Sequence, residues 1–233
     1  MTIDKTLKHD LALAYRIIAH LKMDDHTYTH ISMRPNGADY FYMAPFGLSF
    51  GEVTPDDLIQ IPLSEMANAN KCDKYNITGY IIHGSIYNAR SDINAVIHLH
   101  THEIVAVSSV KDGLLPINQW AMHFYDNVSY SEYDSLVTHH ESSDKIASDL
   151  GANKVMLLRN HGSVTCGSDI QEALFYTYHL QQACKAQIHT LSMGLELVTP
   201  TDAVLNKTVH DLLSFEPNLG HRDWKAWMRI VKF

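Results

Sequence analysis

The stretch "KVMLLRNHGSVTCG", residues 154 to 167, runs directly into "SDIQEALFYTYHLQQACKAQIHTLSMG", residues 168 to 194, and together they constrain the fold more than any other part of the chain. A short apolar run, an Asn-His-Gly turn and a second apolar, β-branched run read as two strands joined by a tight turn. The segment from 168 to 194 is too long for a strand and reads as a helix, capped by Ser168 or Asp169 and stopped at Gly194. With 233 residues the chain has room for one α/β domain around a large core.

The remainder mixes the same two periodicities. Leu7, Leu11, Ala14, Ile18 and Leu21 recur at helical spacing over residues 4 to 22, with Asp4 as a candidate cap. "THISMRPNGADYFYMAPFGLSF" predicts two strands around a Pro35-Asn36-Gly37 turn. Residues 53 to 63, "VTPDDLIQIPL", predict a short helix entered at Thr54-Pro55 and then a strand, and residues 70 to 78 predict a polar loop containing Cys72. A helix is expected over 78–90, a buried strand over 93–100, and a helix over 101–110 with Thr101 as its cap. Trp224 and Trp227, three residues apart, suggest one face of a terminal helix. No linker marks a boundary, so 1–233 is expected to be a single domain, with 195–233 packing on its body or on a neighbouring subunit.

A net charge of −8 without any long Lys/Arg block argues against nucleic acid and against an acidic membrane surface as partners. Cys72, Cys166 and Cys184 are widely spaced and form no CxxC, which suggests neither a disulfide framework nor a thiolate zinc site. Cys166 reads as a small strand residue, not a nucleophile. The opening "MTIDKTLKHD" lacks an apolar leader and no later run is long enough to span a bilayer, so a reducing cytoplasm is expected.

"AVIHLHTHE", residues 95 to 103, places His98, His100 and His102 at every second position, on one face if the segment stays extended. Among 16 histidines such spacing arises easily, and strand histidines that hydrogen-bond in the core compete evenly with a metal pair. A third ligand is either His102 or His161. Thr101 looks like a helix start that swings His102 away, whereas His161, at a turn tip before Gly162, a residue free to take φ > 0, projects more readily into a cleft. Taken alone, His161 is an ordinary turn residue, and His139-His140 a solvated polar pair.

In combination, "DINAVIHLHT" and "VMLLRNHGSV" resemble the class II aldolase/adducin family, in which an H-x-H strand and a later N-H-G turn hold one divalent metal. The resemblance takes in "FYMAPFGLSFGEVTPDDLIQI", "TGYIIHGSIYNARSDI", "VSYSEYDSL" and the long helix, spans roughly residues 10 to 194, and points to the adducin-like branch with its bacterial relatives. It implies metal binding by His98, His100 and His161, with His102 a neighbour. It also implies a three-layer α/β/α fold with a mostly antiparallel central sheet, and tetramers with the metal cleft near a subunit boundary. Zn2+ is the expected ion, Fe2+ and Mn2+ the alternatives.

The chain departs from the pattern where the family's sugar-phosphate aldolases carry P-S-S-E. That stretch aligns with "NITG", residues 76 to 79, so Gly79 takes the position of the proton-moving Glu and only Thr78 keeps a phosphate-type hydroxyl. The family's G-N-[IV]-S loop becomes "THIS" with His30 in place of Asn, and its T-G turn survives only as Phe46-Gly47. Glycine moves no proton, and a phosphate requires convergent donors. Another base is needed: Glu103, His83 and Tyr130 are the weak candidates, with Tyr125 and Tyr133 nearby in sequence, and each has an ordinary structural reading. The chain thus fits three functions: a metal-dependent lyase or aldol-type enzyme on a small non-phosphorylated hydroxy-carbonyl substrate, a non-catalytic module like the adducin head, or an Fe(II)-dependent oxygenase. Actin or spectrin binding is not expected, because those contacts belong to adducin segments outside the matching region.

Overall fold

The computed structural model describes residues 3–64, 75–135 and 141–231; Cys72 and the His139-His140 pair lie outside these residues. Among the described residues, the strands are β1 (His30–Met33), β2 (Tyr40–Met43), β3 (Ile59–Pro62), β4 (Ala95–Leu99), β5 (Val128–Ser131), β6 (Val155–Leu158) and β7 (Gly162–Gly167). They form one sheet in the order β3-β2-β1-β4-β7-β6-β5. Neighbours run antiparallel except β5 against β6, which is parallel. The sheet is therefore mixed and mostly antiparallel.

Alternation along β4 shows how the layers form. Ala95, Ile97 and Leu99 pack with Leu11 and Ile18 of helix α1 (Ile3–His20) and with Leu174 of α6 (Ile170–Ser192). Val96 faces the other way, onto Ile82 and Ile86 of α2 (Ile77–Ala89) and Ile146 of α5 (Glu141–Leu150). Helices thus cover both faces, and His98 follows Val96 onto the α2 face. Buried apolar surface of this extent, at roughly 25 cal/mol per Å2, is the main favourable term holding the layers together. Arg34 anchors α2 to the sheet: its guanidinium donates to the carbonyls of Tyr87, Arg90 and Ile93 at 2.7, 3.0 and 2.6 Å, satisfying acceptors that the helix end leaves open.

The turn at Pro35-Asn36-Gly37 joins β1 to β2 as expected, with Gly37 at φ +73°. Residues 53–58 differ from expectation, making a single turn and no helix. The Thr54 amide and hydroxyl both donate to the Asp57 carboxylate, at 2.8 and 2.6 Å, and the chain enters β3 directly afterwards. Asp4 lies inside the first turn of α1, where its charge favours the helix N-terminus, and does not cap it. Thr101 occupies the cap position of α3 (His102–Ser108), but its hydroxyl donates to Gln181 at 2.5 Å and makes no bond to the helix amides. Of the two candidates at the start of α6, Asp169 is the cap, accepting from the Glu172 amide at 2.8 Å. After α4 (Gln119–Met122), the C-terminal segment forms α7 (Asp202–Ser214) and α8 (His221–Ile230). Trp224 is 5% exposed within the α1 core, and Trp227 packs beside it. Cys166 in β7 and Cys184 in α6 are buried free thiols, and burial pushes the Cys166 thiol up to about 12, which excludes a ready thiolate.

Candidate metal centre

The antiparallel pairing of β4 with β7 sets Leu99 opposite Ser163, so the end of β4 meets the turn that precedes β7. His98, His100 and His161 meet there, and one possible ligand atom from each lies within 4.8 Å of the others. Asn160, not Gly162, takes the left-handed conformation in this turn, at φ +59°. Gly162 is required for a different reason. A Cβ there would stand against the Leu99 carbonyl and within 3.0 Å of His100 Cδ2, so only glycine lets the turn approach β4 this closely.

The ring orientations are set from behind. His98 Nδ1 donates to the Ser163 carbonyl at 2.9 Å, and His100 Nδ1 donates to the Asp25 carboxylate at 3.2 Å. With a carbonyl and a carboxylate as the acceptors, both rings hold their hydrogen on Nδ1 and present an Nε2 lone pair. Those two Nε2 atoms are 2.7 Å apart. Two neutral lone pairs at that distance repel, and a cation shared between them removes the conflict. His161 meets His98 edge to face and His100 at a tilt, with centroids 4.9 and 4.6 Å away. Burial, then the neighbouring His100, brings His161 down to about 4. Burial likewise holds His98 well below the ordinary imidazole value and lowers His100, against the opposing pull of Asp25. All three are neutral near pH 7, the form that binds a metal. The donor set therefore suits a divalent first-row ion.

His102 is exposed on α3 and outside the cluster. Glu103 shares a cavity of about 540 Å3 with His100, Asp25 and Lys185. Its carboxylate accepts from Gln181 at 2.9 Å, which holds its pKa below the usual range. Tyr130 accepts from the Leu114 amide at 3.0 Å, lies under the Arg159 guanidinium, 4.2 Å from the ring centroid, and does not line the cavity that Glu103 shares with His100. Tyr125 donates to Asp202, and Tyr133 is exposed. His83 is fully buried on α2 and hydrogen-bonded to His30 and Ser32 at 2.8 and 2.5 Å, so it is a neighbour of the centre and not a free base. Gly79 has no side chain to offer, and its space is taken: a Cβ there would lie 2.8 Å from two ring carbons of His30. Sequence reasoning missed Asp25 as the partner of His100 and the closeness of His30 to His98. The His30 signal existed only as a departure in "THIS", and Asp25 had none.

A mixed sheet covered by helices on both faces, with three imidazoles converging where a strand end meets a turn, defines an α/β protein with a candidate metal site. Residues 9–188 match the model for the Class II Aldolase and Adducin N-terminal domain, and the chain belongs to that family. A Pseudomonas aeruginosa protein provisionally named as a class 2 aldolase is 36% identical over 189 residues, 81% of this chain and 73% of that protein. Mouse (Mus musculus) alpha-adducin is 35% identical over 193 residues, 81% of this chain but only 26% of adducin. The crystal structure of an aldolase II superfamily protein from Pseudomonas syringae superimposes with a TM-score of 0.89 at 34% identity, covering 99% of this chain and 94% of the other. Among the described residues, no helix is long and apolar enough to cross a membrane.

Proposed function

We propose that the protein is a divalent-metal-dependent lyase or aldol-type enzyme acting on a small, non-phosphorylated hydroxy-carbonyl substrate, with the ion held by His98, His100 and His161. The observation that carries this reading is the opposed pair of Nε2 lone pairs 2.7 Å apart, each fixed by a hydrogen bond on its far nitrogen. Zinc is the ion proposed, with Fe2+ and Mn2+ as alternatives. When bound, such an ion supplies Lewis acidity toward a carbonyl or hydroxyl oxygen. The Ser163 carbonyl and Asp25 carboxylate aim the imidazoles while burial keeps them neutral, and Glu103, its carboxyl held below the usual range, lines the adjoining cavity as the candidate base.

Two features support a substrate without phosphate. The Thr78 amide and hydroxyl are both spent on the Asn76 side chain, at 3.0 and 2.7 Å. The void bordered by Thr29, His30, Phe46 and Asn76 measures about 10 Å3, space for a single water at most. The second reading, a non-catalytic module, draws on Gly79, which supplies no proton-moving group. We also infer a homo-oligomer, a tetramer by family expectation; the exposed Leu195, Val198 and Phe215 beyond α6 support self-association.

Elemental analysis of the purified protein beside His98→Ala and His161→Ala tests the site: one divalent ion per chain, lost in both variants, is expected. Turnover of hydroxy-aldehydes or hydroxy-ketones that disappears in His161→Ala supports the enzyme. Metal bound without turnover on any such panel favours the module, and O2 consumption after anaerobic Fe2+ loading favours the oxygenase.

A further inference from the structure

Behind the triad lies a hydrogen-bonded chain that ends in an unpartnered atom. His30 pairs with His98 across β1 and β4, and their rings stack with centroids 4.7 Å apart and planes 31° apart. His30 Nδ1 lies 2.8 Å from His83 Nε2, His83 Nδ1 lies 2.5 Å from the Ser32 hydroxyl, and that hydroxyl lies 2.7 Å from the Tyr87 hydroxyl. All four residues are buried. The remaining nitrogen, His30 Nε2, is buried with no hydrogen-bond partner.

Proton counting fixes the direction of the chain. With both imidazoles neutral, each ring carries one hydrogen. If Tyr87 donates to Ser32, Ser32 donates to His83 Nδ1 and His83 Nε2–H donates to His30 Nδ1. The hydrogen of His30 then sits on Nε2, and one group is left unmet. The reverse direction ends on the Tyr87 oxygen. It leaves the tyrosine proton without an acceptor and the His30 lone pair empty, two buried unmet groups where the first arrangement has one. Each buried unmet group destabilises the fold, so the arrangement with one is preferred over the arrangement with two. A buried N–H donor beside a metal triad awaits an acceptor, and that acceptor is an oxygen.

We propose that His30 Nε2–H is a substrate-binding hydrogen-bond donor, directed at an oxygen of the hydroxy-carbonyl ligand seated against the triad, and that Gly79 is the residue that admits it. This rests on the metal-site reading above. Gly79 and His30 form a matched pair: any side chain at 79 would enter the imidazole, whose Cδ2 and Cγ are 2.8 Å and Nε2 3.0 Å from the added Cβ. The glycine that removes one functional group from the cleft therefore makes room for another. His83, Ser32 and Tyr87 are positioning residues that hold its tautomer.

The test is 1H–15N spectroscopy of histidine side chains in the full-length protein, metal-free and zinc-loaded, with glycolate as the oxygen ligand. In the metal-free protein His30 is expected to carry its hydrogen on Nε2. Addition of glycolate to the zinc-loaded form is expected to move that N–H resonance downfield. Gly79→Ala is expected to keep zinc stoichiometry while weakening glycolate binding about tenfold, the loss of one neutral hydrogen bond. An Nδ1–H tautomer at His30, an N–H resonance unmoved by glycolate, absence of millimolar glycolate binding to loaded protein, or unchanged affinity in Gly79→Ala overturns the inference. Those results leave the metal site standing. Failure of the wild type to hold zinc overturns the proposed function instead, and the ligand role of His30 with it, while the metal-free tautomer remains a separate measurement.

Discussion

Gly162→Ala is the smallest change that tests how the centre is assembled. The added methyl meets the Leu99 carbonyl well inside van der Waals contact and lies 3.3 Å from its carbon and 3.0 Å from His100 Cδ2. The obstacle is backbone in the middle of a sheet, so no rotamer change relieves it, and the turn must withdraw by on the order of 1 Å. Overpacking of this kind costs about 1–3 kcal/mol. Weakening the adjacent Leu99–Ser163 pairing adds about 1 kcal/mol per hydrogen bond. The expected loss is therefore about 2–4 kcal/mol in urea unfolding. Withdrawal also moves the Ser163 carbonyl that holds His98, and disturbance of such supporting contacts typically lowers metal affinity 10–100-fold. Zinc competition against a chelating dye measures that part. Gly51→Ala is the control, since its nearest neighbour is the Ala19 methyl at 3.9 Å and its φ is not left-handed; it should lie within about 1 kcal/mol of wild type. If Gly162→Ala matches wild type within about 0.5 kcal/mol and binds zinc as well, the close approach of turn and strand is not what shapes the site.

Asp25→Asn keeps the size of the group behind His100 but removes its charge; zinc affinity is expected to fall 10–100-fold with little change in unfolding midpoint, as read by competition titration and urea melts. Trp224→Ala, removing a ring that is 5% exposed, is expected to cost about 3–5 kcal/mol in the same unfolding assay. His123 supplies a pH dependence remote from the triad. Burial and the adjoining His179 hold it at about 4, against 6.5 unfolded, so its stabilisation is full above pH 6.5 and fades as pH falls toward 4, because only the unfolded chain takes up the proton. One proton gives a slope of about 1.4 kcal/mol per pH unit inside that window, and solvent in the cavity beside the ring narrows the window. Chelator-treated His123→Asn should show a flatter decline than wild type between pH 6.5 and 4.5, and parallel declines would refute the assignment.

Most of the framework was legible in the chain because it rests on local patterns. Alternation marked β4, turn chemistry marked the β1–β2 and β6–β7 connections, and the cap at Asp169 with the glycine at 194 bounded α6. The 53–58 segment misled because Thr-Pro-Asp-Asp starts a helix or closes a single turn equally well, and the nearness of β3 decides between them. Local pattern placed His98 and His100 together, but only the family resemblance paired them with His161. The contacts of His30 with His98 and of Asp25 with His100 were beyond reach of either. Their positions follow from which strands become neighbours and from a carboxylate reaching across 75 residues to an imidazole, neither of which leaves a periodic trace.

The distance along the chain between His98 and His161 has a consequence for how the molecule matures. An extended polypeptide can offer an incoming cation the His98–His100 pair alone; the remaining donor joins after β4 and β7 have zipped together across the middle of the sheet. If the three imidazoles hold an ion as proposed, its capture is contingent on correct long-range assembly, and a captured ion would act as a tether across 63 residues of sequence. An ion bound selectively by the assembled state would draw the population toward that state in proportion to the logarithm of its free concentration. Metal scarcity would then be felt as shortened lifetime against proteolysis as well as lost turnover.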